Sequence, residues 1–365
     1  MRILFLGDFL YDYDTINPDF HEICKNIQEC NLNTVLNLET ALGEKGTPIK
    51  KGGPNIRSTD TVFQALKELN VVAVTMANNH SMDYGETALI DALNMLHSKN
   101  IQTVGAGRSI TDAQNPLYLA GDDESIVILN YGWDVEETVY ASKEKAGCNP
   151  LDRNRVVREI QSIRSSNSEA IIILIFHWGF EFNTYPMPYD IQFAHECVEK
   201  GCNLIIGHHP HVIQAKEIYN GVPIYYSLGN FYSGTHRDHF PTNFRNECVG
   251  NVCDYGLGVI YDTRKNECNE MFFEYDRNLD KTTITMKGTD LLRDISGINW
   301  KNDEYISLVK KHANSNNPIL GLNEKENRKK LRKLSIRRRS AIMLRFLKKN
   351  KLGKGVYAFL KKIAG

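Results

Sequence analysis

Short runs of apolar and β-branched residues recur along the chain, separated by segments in which apolar residues return every three or four positions. The short runs have the length of strands that are buried on both faces, and the longer segments have the spacing of helices that pack by one face. The predicted strands are residues 3–6, 35–38, 71–76, 126–130, 171–176, 204–206 and 224–227. The predicted helices are residues 20–30, 61–69, 87–97, 156–163 and 191–199. This alternation of strand and helix predicts a layered α/β fold.

The pattern changes after residue 257. Three further apolar runs, residues 257–261, 271–275 and 282–286, follow one another with no helical spacing between them. Such runs are typical of antiparallel strands. Residues 314–318, which read Asn-Ser-Asn-Asn-Pro, indicate a break in the chain before its last segment.

Polar residues cluster at the points where five predicted strands stop. The clusters are Gly7-Asp8, Asn37-Leu38-Glu39, Asn78-Asn79-His80, His177-Trp178-Gly179 and Gly207-His208-His209-Pro210-His211. One such cluster alone is ordinary turn or capping chemistry. In α/β folds, however, ligand sites form in the loops beyond the carboxyl ends of the strands. The repeated placement therefore predicts one site that is shared by all five loops.

The residue types in these clusters indicate which ligand the site would take. Carboxylate, amide oxygen and imidazole together suit a divalent transition metal, whereas oxygen ligands alone suit Mg²⁺ or Ca²⁺. The set contains no thiolate, which favours a catalytic centre with a position open for water over a structural zinc site. His209 and His211 lie two residues apart, so each could reach a different ion. We predict that one or two divalent ions, Mn, Fe or Zn, are the cofactors.

These clusters, together with other motifs, resemble the CapA family of poly-gamma-glutamate capsule synthesis proteins. The other motifs are Asp83 and Gly85, Gly105-Ala106-Gly107-Arg108, Glu181, and Tyr226-Ser227-Leu228-Gly229-Asn230-Phe231. The resemblance covers roughly residues 1–262. That family is similar to the calcineurin-like metallophosphoesterases, which implies a four-layer α/β/β/α sandwich that holds a two-metal centre.

The resemblance also implies the metal ligands. Asp8 would bind the first metal, Glu39 would take the place of the bridging carboxylate, and Asn79 and His177 would bind the second metal. The histidine loop would complete both sites through His209 and His211, with His208 as the alternative register. The related phosphoesterase pattern begins Asp-x-His, whereas this chain has Leu10 at the third position. Occupancy by one ion or by two is therefore left open.

The remaining implied roles concern catalysis and the substrate. His80 follows the metal-binding Asn79 and matches the position of the histidine that protonates the leaving group. The candidate substrate-binding residues are Arg108, Glu181, His208 and Asn230, for which supporting or structural roles are equally compatible with the sequence.

The resemblance predicts a metal-dependent hydrolase in the biosynthesis or modification of a capsule or cell-surface polymer, either poly-γ-glutamate or polysaccharide. Metal-activated water would be the nucleophile, and the polymer or its precursor would be the substrate. The scissile bond, an ester, phosphoester or amide, is left open. The alternative is a non-catalytic accessory subunit of a membrane-bound polymer-synthesis complex, for which Leu10 is the main support.

Charge is distributed unevenly along the chain, although the formal net charge is zero. The composition, with 42% apolar and 24% charged residues, is typical of a globular protein. Residues 325–365 contain sixteen Lys or Arg and one acid, which leaves +15 on this segment and −15 on residues 1–324. We predict a CapA-like domain over residues 1–290, a connecting segment over 291–324 and a basic amphipathic helical tail over 325–365.

The predicted tail alternates cations with bulky apolar residues, as helices that lie on anionic membranes do. We expect it to contact an anionic membrane surface or a synthesis complex, and we consider nucleic acid the less favoured partner. The first apolar run is too short for a signal peptide or a membrane span, and the eight cysteines form no compact secreted framework. These features predict a cytoplasmic protein, with peripheral contact at the inner face of the membrane through the tail.

Overall fold

Two β-sheets lie face to face, and helices cover the outer side of each. The computed structural model describes residues 1–12, 15, 18–51, 53–120, 124–133, 138–234, 252–307 and 309. The strands of the first sheet are β1 (Arg2–Phe9), β2 (Asn33–Leu38), β5 (Val71–Thr75), β6 (Gln102–Val104), β15 (Asn230–Tyr232), β16 (Tyr255–Asp262), β17 (Glu267–Asp276) and β18 (Lys281–Ile284). Those of the second sheet are β8 (Leu117–Ala120), β9 (Ser125–Gly132), β11 (Ile171–His177), β12 (Leu204–His208), β13 (Lys216–Tyr219) and β14 (Val222–Tyr225).

Shorter strands and the helices complete the described elements. Two strand pairs are formed by β3 (Ala41–Leu42) with β4 (Arg57–Ser58), and by β7 (Ala106–Gly107) with β10 (Gly147–Cys148). The helices are α1 (His21–Glu29), α2 (Val62–Glu68), α3 (Gly85–Ser98), α4 (Ile110–Ala113), α5 (Arg153–Ser166) and α6 (Pro188–Glu199).

The first sheet is parallel on one side and antiparallel on the other, whereas the second has a parallel centre and antiparallel edges. The first sheet has the order β18-β17-β16-β1-β2-β5-β6, in which β1, β2, β5 and β6 are parallel and the last three strands of the chain are antiparallel. The second has the order β13-β14-β12-β11-β9-β8, with β13 and β8 as antiparallel edges. The late antiparallel strands expected from the sequence are therefore confirmed.

The core has three layers, which explains why the strands are apolar along their whole length. In β1, Ile3 and Phe5 pack between the two sheets, whereas Leu4 and Leu6 pack against the helices α1, α2 and α3. Strand β11 alternates in the same way between the inter-sheet layer and the layer under α5 and α6. Since successive side chains point to opposite faces, a strand buried on both faces must be apolar throughout. The predicted α/β/β/α sandwich is confirmed.

The end of the described chain packs on the second sheet. Ile295, Tyr305 and Val309 are buried in the layer under α5 and α6, and the Tyr305 hydroxyl donates to the carbonyl of Pro186 at 3.0 Å. The basic tail, residues 325–365, lies outside the described residues, and the domain boundaries stay a prediction. Among the described residues, no helix combines the length and the apolar character that crossing a bilayer needs. Likewise, no disulfide joins the cysteines within the described ranges.

Gly207 allows the backbones of two strands to approach closely just before the histidine loop. A Cβ atom at this position would lie 1.9 Å from the carbonyl oxygen of Tyr226 and 2.6 Å from Nε1 of Trp178. We expect Gly207→Ala to lower the free energy of unfolding by about 3 kcal/mol, because rigid backbone would have to move. Urea unfolding measures this change. Gly53→Ala is the control, since its Cβ would meet nothing within 4 Å, and an equal loss in both variants would contradict the steric explanation.

Candidate metal centre

The polar clusters meet at one edge of the two sheets. Asp8 lies at the end of β1 and Glu39 directly follows β2, its parallel neighbour in the first sheet. In the second sheet, His177 ends β11 and is paired in register with His208, which ends β12. The carboxyl ends of parallel strands lie on the same side of a sheet, so the loops of both sheets converge there.

Two groups of potential metal ligands form at this edge, and Glu39 belongs to both. In one group, ligand atoms of Asp8, Glu39 and His211 lie within 4.8 Å of one another. In the other, ligand atoms of Glu39, His177 and His209 do so. All five side chains are buried. The shared carboxylate has the position that a residue bridging two cations would need.

Glu39 provides a test of whether a cation fits. Its Oε1 atom is buried and accepts no hydrogen bond from any residue that the structure describes, although His177 Nε2 lies 3.5 Å and His211 Nε2 3.8 Å away. An acceptor buried without a hydrogen bond is costly. A divalent cation between these atoms would satisfy it, and mixed imidazole and carboxylate ligands suit Mn, Fe or Zn. The residues present therefore fit a metal.

Asp8 is held by the histidine loop. Its carboxylate lies 3.0 Å from His208 Nδ1 and 3.4 Å from His211 Nδ1, and it accepts a hydrogen bond from the backbone N–H of His209 at 3.1 Å. Burial alone would raise the pKa of Asp8, but hydrogen bonds to His208 and His211 and their positive charge outweigh it and hold that pKa well below its usual range. Asp8 is therefore an anion at neutral pH.

Glu39 and His211 hold a proton in the cation-free protein. Burial, followed by the negative charge of Asp8, raises the pKa of Glu39 well above its usual range. Burial opposes the charged form of His211, but the charge of Glu39, the hydrogen bond to Asp8 and the charge of Asp8 raise its pKa to about 10. Both shifts have the same meaning: at neutral pH this pair keeps a proton that the separate groups would have lost.

We expect a divalent cation to displace that proton. Metal affinity should rise with pH, by about tenfold per pH unit for one proton released, and should level off as the pH approaches about 10, the pKa of His211. Calorimetric titration of Zn²⁺ or Mn²⁺ in buffers of different ionisation enthalpy counts the released protons. An affinity that does not change between about pH 7 and 9 would contradict this prediction.

A second hydrogen-bonded pair lies on the other side of Glu39. The amide oxygen of Asn79 lies 2.8 Å from His177 Nε2. Burial, followed by the positive charge of His209, lowers the pKa of His177 well below its usual range, so its imidazole is neutral at neutral pH. A neutral imidazole can bind a metal. Asn79 and His177 therefore offer an amide oxygen and a neutral imidazole next to Glu39, whose Oε1 atom lies 3.5 Å from His177 Nε2.

His80 does not join these groups directly but lies beside them. Its Nδ1 atom is 2.7 Å from Asp83 Oδ2, and Asp83 also forms an ion pair with Lys51. The Asn78 side chain accepts hydrogen bonds from the backbone N–H groups of His80 and Ser81 at 3.0 and 2.9 Å, which fixes the loop. The imidazole is therefore oriented by a buried carboxylate, as a general acid or base requires.

The other predicted residues have different surroundings. Asn230 Oδ1 lies 2.9 Å from His211 Nδ1. Glu181 is half-buried, and its negative charge is among the smaller causes that raise the pKa values of Glu39 and His211. Arg108 is exposed, and its guanidinium donates to Asn94 Oδ1 of α3 at 2.5 Å. That contact directs Arg108 to a helix and not to the ligand groups.

The histidine loop gives its three imidazoles separate places. His209 and His211 have positive φ angles of 96° and 57°, so the loop turns here instead of running extended. His209 joins the Glu39 and His177 group, and His211 joins the Asp8 and Glu39 group. His208 lies at the end of β12 with its Nδ1 atom 3.0 Å from Asp8. This placement agrees with the register that uses His209 and His211, while the roles themselves stay predictions.

Two residues near the centre had no predicted role, although Asn37 belongs to one of the polar clusters. The Asn37 amide donates to Asp8 Oδ1 at 2.8 Å and to Glu39 Oε2 at 3.3 Å, so it holds both carboxylates. Its place two residues before Glu39 was a signal, since alternate side chains of an extended segment share a face. Lys51 lies in a loop without periodicity, and its sequence neighbours give no sign of its position.

Curated relatives support the resemblance to capsule proteins. The chain is 35% identical over 179 residues to the "PGA biosynthesis protein CapA" of Bacillus subtilis (strain 168), covering 48% of this chain and 46% of that protein. It is 27% identical over 179 residues to the "Capsule biosynthesis protein CapA" of Bacillus anthracis, covering 48% and 44%. A "Probable polyglutamine synthesis accessory protein" of Mycobacterium tuberculosis (strain ATCC 25618 / H37Rv) is 28% identical over 206 residues, covering 54% of each. The chain thus spans about half the length of the curated relatives it matches.

Solved structures give more distant matches. The 5'-nucleotidase precursor from Thermus thermophilus aligns with a TM-score of 0.42 and 10% identity, covering 89% of this chain and 60% of that one. The NAD nucleotidase (NadN) of Haemophilus influenzae aligns with a TM-score of 0.42 and 11% identity, covering 85% and 60%.

A family model provides the assignment. The model described as "Bacterial capsule synthesis protein PGA_cap" matches residues 2–235, a span that contains every residue of the candidate metal centre. The match covers well over half of the chain. This chain belongs to the PGA_cap family of bacterial capsule synthesis proteins.

Proposed function

We propose that the protein is a metal-dependent hydrolase that acts in the synthesis or modification of a bacterial capsule or cell-surface polymer, with poly-γ-glutamate or polysaccharide as the polymer. The observation that carries this proposal is the Glu39 carboxylate, which is shared by two buried groups of metal ligands beside an oriented histidine. Family membership supports the link to capsule synthesis.

The two ligand groups would form two cation positions. Asp8, Glu39 and His211 would hold one ion, and Glu39, Asn79, His177 and His209 would hold the other. A bound divalent cation supplies Lewis acidity, which makes water a better nucleophile near neutral pH and polarises the bond under attack. Asn37 holds the two carboxylates in place through its amide.

His80 would act as the general acid. Its ring is fixed through Nδ1 by Asp83, which leaves Nε2 as the atom that gives its proton to the leaving group. An imidazole has an ordinary pKa close to neutrality, so it can exchange a proton at the pH of a cell. The phosphoryl, ester or amide nature of the bond stays open.

A second candidate function is a non-catalytic accessory role in a polymer-synthesis complex. Leu10 stands where the related phosphoesterase pattern has a histidine ligand, and its side chain is buried at 2% exposure. The mycobacterial relative carries the name of an accessory protein. In that case the buried polar centre would have a structural role and no catalytic one.

The partners and location belong to the proposal as well. The substrate would be the polymer or its precursor. Residues 325–365 would contact an anionic membrane surface or the synthesis complex, with the rest of the protein in the cytoplasm. These points stay predictions.

The test combines metal loading with a substrate screen. The full chain is stripped with a chelator, reloaded with Mn²⁺, Fe²⁺ or Zn²⁺, and assayed on phosphomonoesters, phosphodiesters and poly-γ-glutamate. The proposal predicts turnover that appears on reloading and disappears with chelator. Stoichiometric metal without turnover on any of these bonds, together with co-purification with a polymer-synthesis complex, would favour the accessory role.

A further inference from the structure

A lysine with a buried side chain, Lys51, lies in the loop between β3 and β4 and contacts the general-acid candidate His80. We propose that Lys51 is a positioning residue for His80, an inference that rests on the proposed hydrolase function. Its ammonium holds Asp83 and the backbone of Asn79, and through Asp83 it fixes the ring of His80.

The first support is burial. The Lys51 side chain is 2% exposed and that of Asp83 is fully buried, and the two form an ion pair. Lysine is almost never buried unless it is paired, since removing its charge from water costs several kcal/mol. Such a pair stabilises a fold little, compared with apolar residues of the same size. Stability alone therefore does not explain why Lys51 and Asp83 are buried next to His80.

The second support is the set of groups around the ammonium. Lys51 Nζ donates to Asp83 Oδ1 and to the carbonyl oxygen of Asn79 at 3.2 Å, and it lies 3.1 Å from His80 Nδ1. Asn79 is a candidate metal ligand and His80 the candidate acid. One ammonium thus contacts the chain segment that carries both functions.

The third support is the direction of the hydrogen bond at His80. Asp83 pairs with Lys51 through Oδ1, while its Oδ2 accepts the backbone N–H of Ile56 at 2.6 Å and lies 2.7 Å from His80 Nδ1. An ionised carboxylate only accepts, so His80 Nδ1 carries the hydrogen. This selects one tautomer, in which Nε2 is the atom that exchanges a proton with the substrate.

The loop does not depend on Lys51 for its attachment. Ile49 N–H and the Asn55 amide both donate to the Asp83 carbonyl oxygen, at 2.8 and 2.6 Å. The β3–β4 pairing closes the loop at its base. Replacing Lys51 should therefore leave the loop in place and change mainly the surroundings of His80.

The test compares Lys51→Met with Lys45→Met. Lys45 lies on the same loop and pairs with Asp91 at 2.6 Å, but its side chain is 64% exposed. We expect Lys51→Met to lower kcat by about 10- to 100-fold with KM and metal content nearly unchanged. Lys51→Arg, which keeps the charge, should recover most of kcat, and Lys45→Met should match the wild type.

A double variant separates positioning from an independent effect. If Lys51 acts through His80, Lys51→Met should cause no further loss of kcat in a His80→Ala background. A full additional loss there would overturn the proposal. If Lys51→Met does not fold, Lys51→Leu, which likewise removes both the charge and the donor, takes its place in every comparison, and the same outcomes apply.

A spectroscopic readout keeps this inference separate from the proposed function. The ring ¹⁵N shifts of His80, assigned by their absence in His80→Ala, report its tautomer in the presence of Zn²⁺. We expect one tautomer in the wild type and a mixture in Lys51→Met. If the wild type is inert on every substrate but this change appears, the hydrolase proposal fails and the positioning role stands. If the wild type is active while kcat and the shifts are unaltered in Lys51→Met, the positioning role fails alone.

Discussion

Glu39→Gln is expected to lose metal and turnover together. The carboxylate belongs to both ligand groups, so its replacement weakens both cation positions at once. Removing residues that only support metal ligands already costs about 10- to 100-fold in affinity, and we expect at least about 100-fold here. Elemental analysis after gel filtration, together with calorimetric titration, measures the loss.

The substitution should not unfold the protein. Since burial and the charge of Asp8 raise the pKa of Glu39 well above its usual range, the fold gains little from the ionised carboxylate, and an amide of the same shape should cost little stability. Glu217→Gln is the matched control, because Glu217 is also buried but lies on β13 of the second sheet, where it is hydrogen-bonded to His195 and Tyr226. If Glu39→Gln and Glu217→Gln had equal metal content, the prediction that Glu39 is a metal ligand would be wrong.

His80→Ala is expected to separate catalysis from metal binding. Its imidazole is held by Asp83 and is not in either ligand group, so metal content should stay at the wild-type level. Turnover should fall by about 10²- to 10⁴-fold, the usual contribution of a general acid. Steady-state kinetics with parallel metal analysis gives both numbers.

The leaving group provides a sharper form of this test. The nitrophenolate released from a nitrophenyl ester is a good leaving group and needs little help from an acid. The alkoxide released from an alkyl ester is a poor leaving group and needs a proton from the acid. The loss in His80→Ala should therefore be much smaller for the nitrophenyl substrate. His97→Ala, which changes an exposed histidine on α3, is the control. A loss that is equal for both substrates would show that His80 has a role other than proton donation.

The sequence was most informative where strands are buried on both faces. Runs such as residues 171–176 are apolar throughout because Ile173 faces the other sheet and Ile172 faces the helices. The polar residues at the ends of these runs therefore stood out, and the ligand groups formed from them. In stacked sheets, the loops at the carboxyl ends of parallel strands lie together at one edge, so their polar side chains meet there.

Contacts made by irregular segments could not be predicted in this way. Within the Tyr226–Phe231 motif, Asn230 begins β15, which pairs with β1 at Asp8. Lys51 reaches His80 across a separation of 29 residues in the chain. Neither placement has a periodic signature, because each depends on hydrogen bonds made only once the sheets are assembled.

The position of β1 has a consequence for how the protein is made. One flank of β1 pairs with β2, which follows it closely in the chain, but the other pairs with residues 259–262 of β16 and with β15. A ribosome adds about 5–20 residues each second, so the nascent chain carries an uncovered strand flank for on the order of ten to fifty seconds. Chaperones that shield apolar strand edges would act in that interval, and substitutions in β16 would reduce the yield of mature protein before they altered its chemistry.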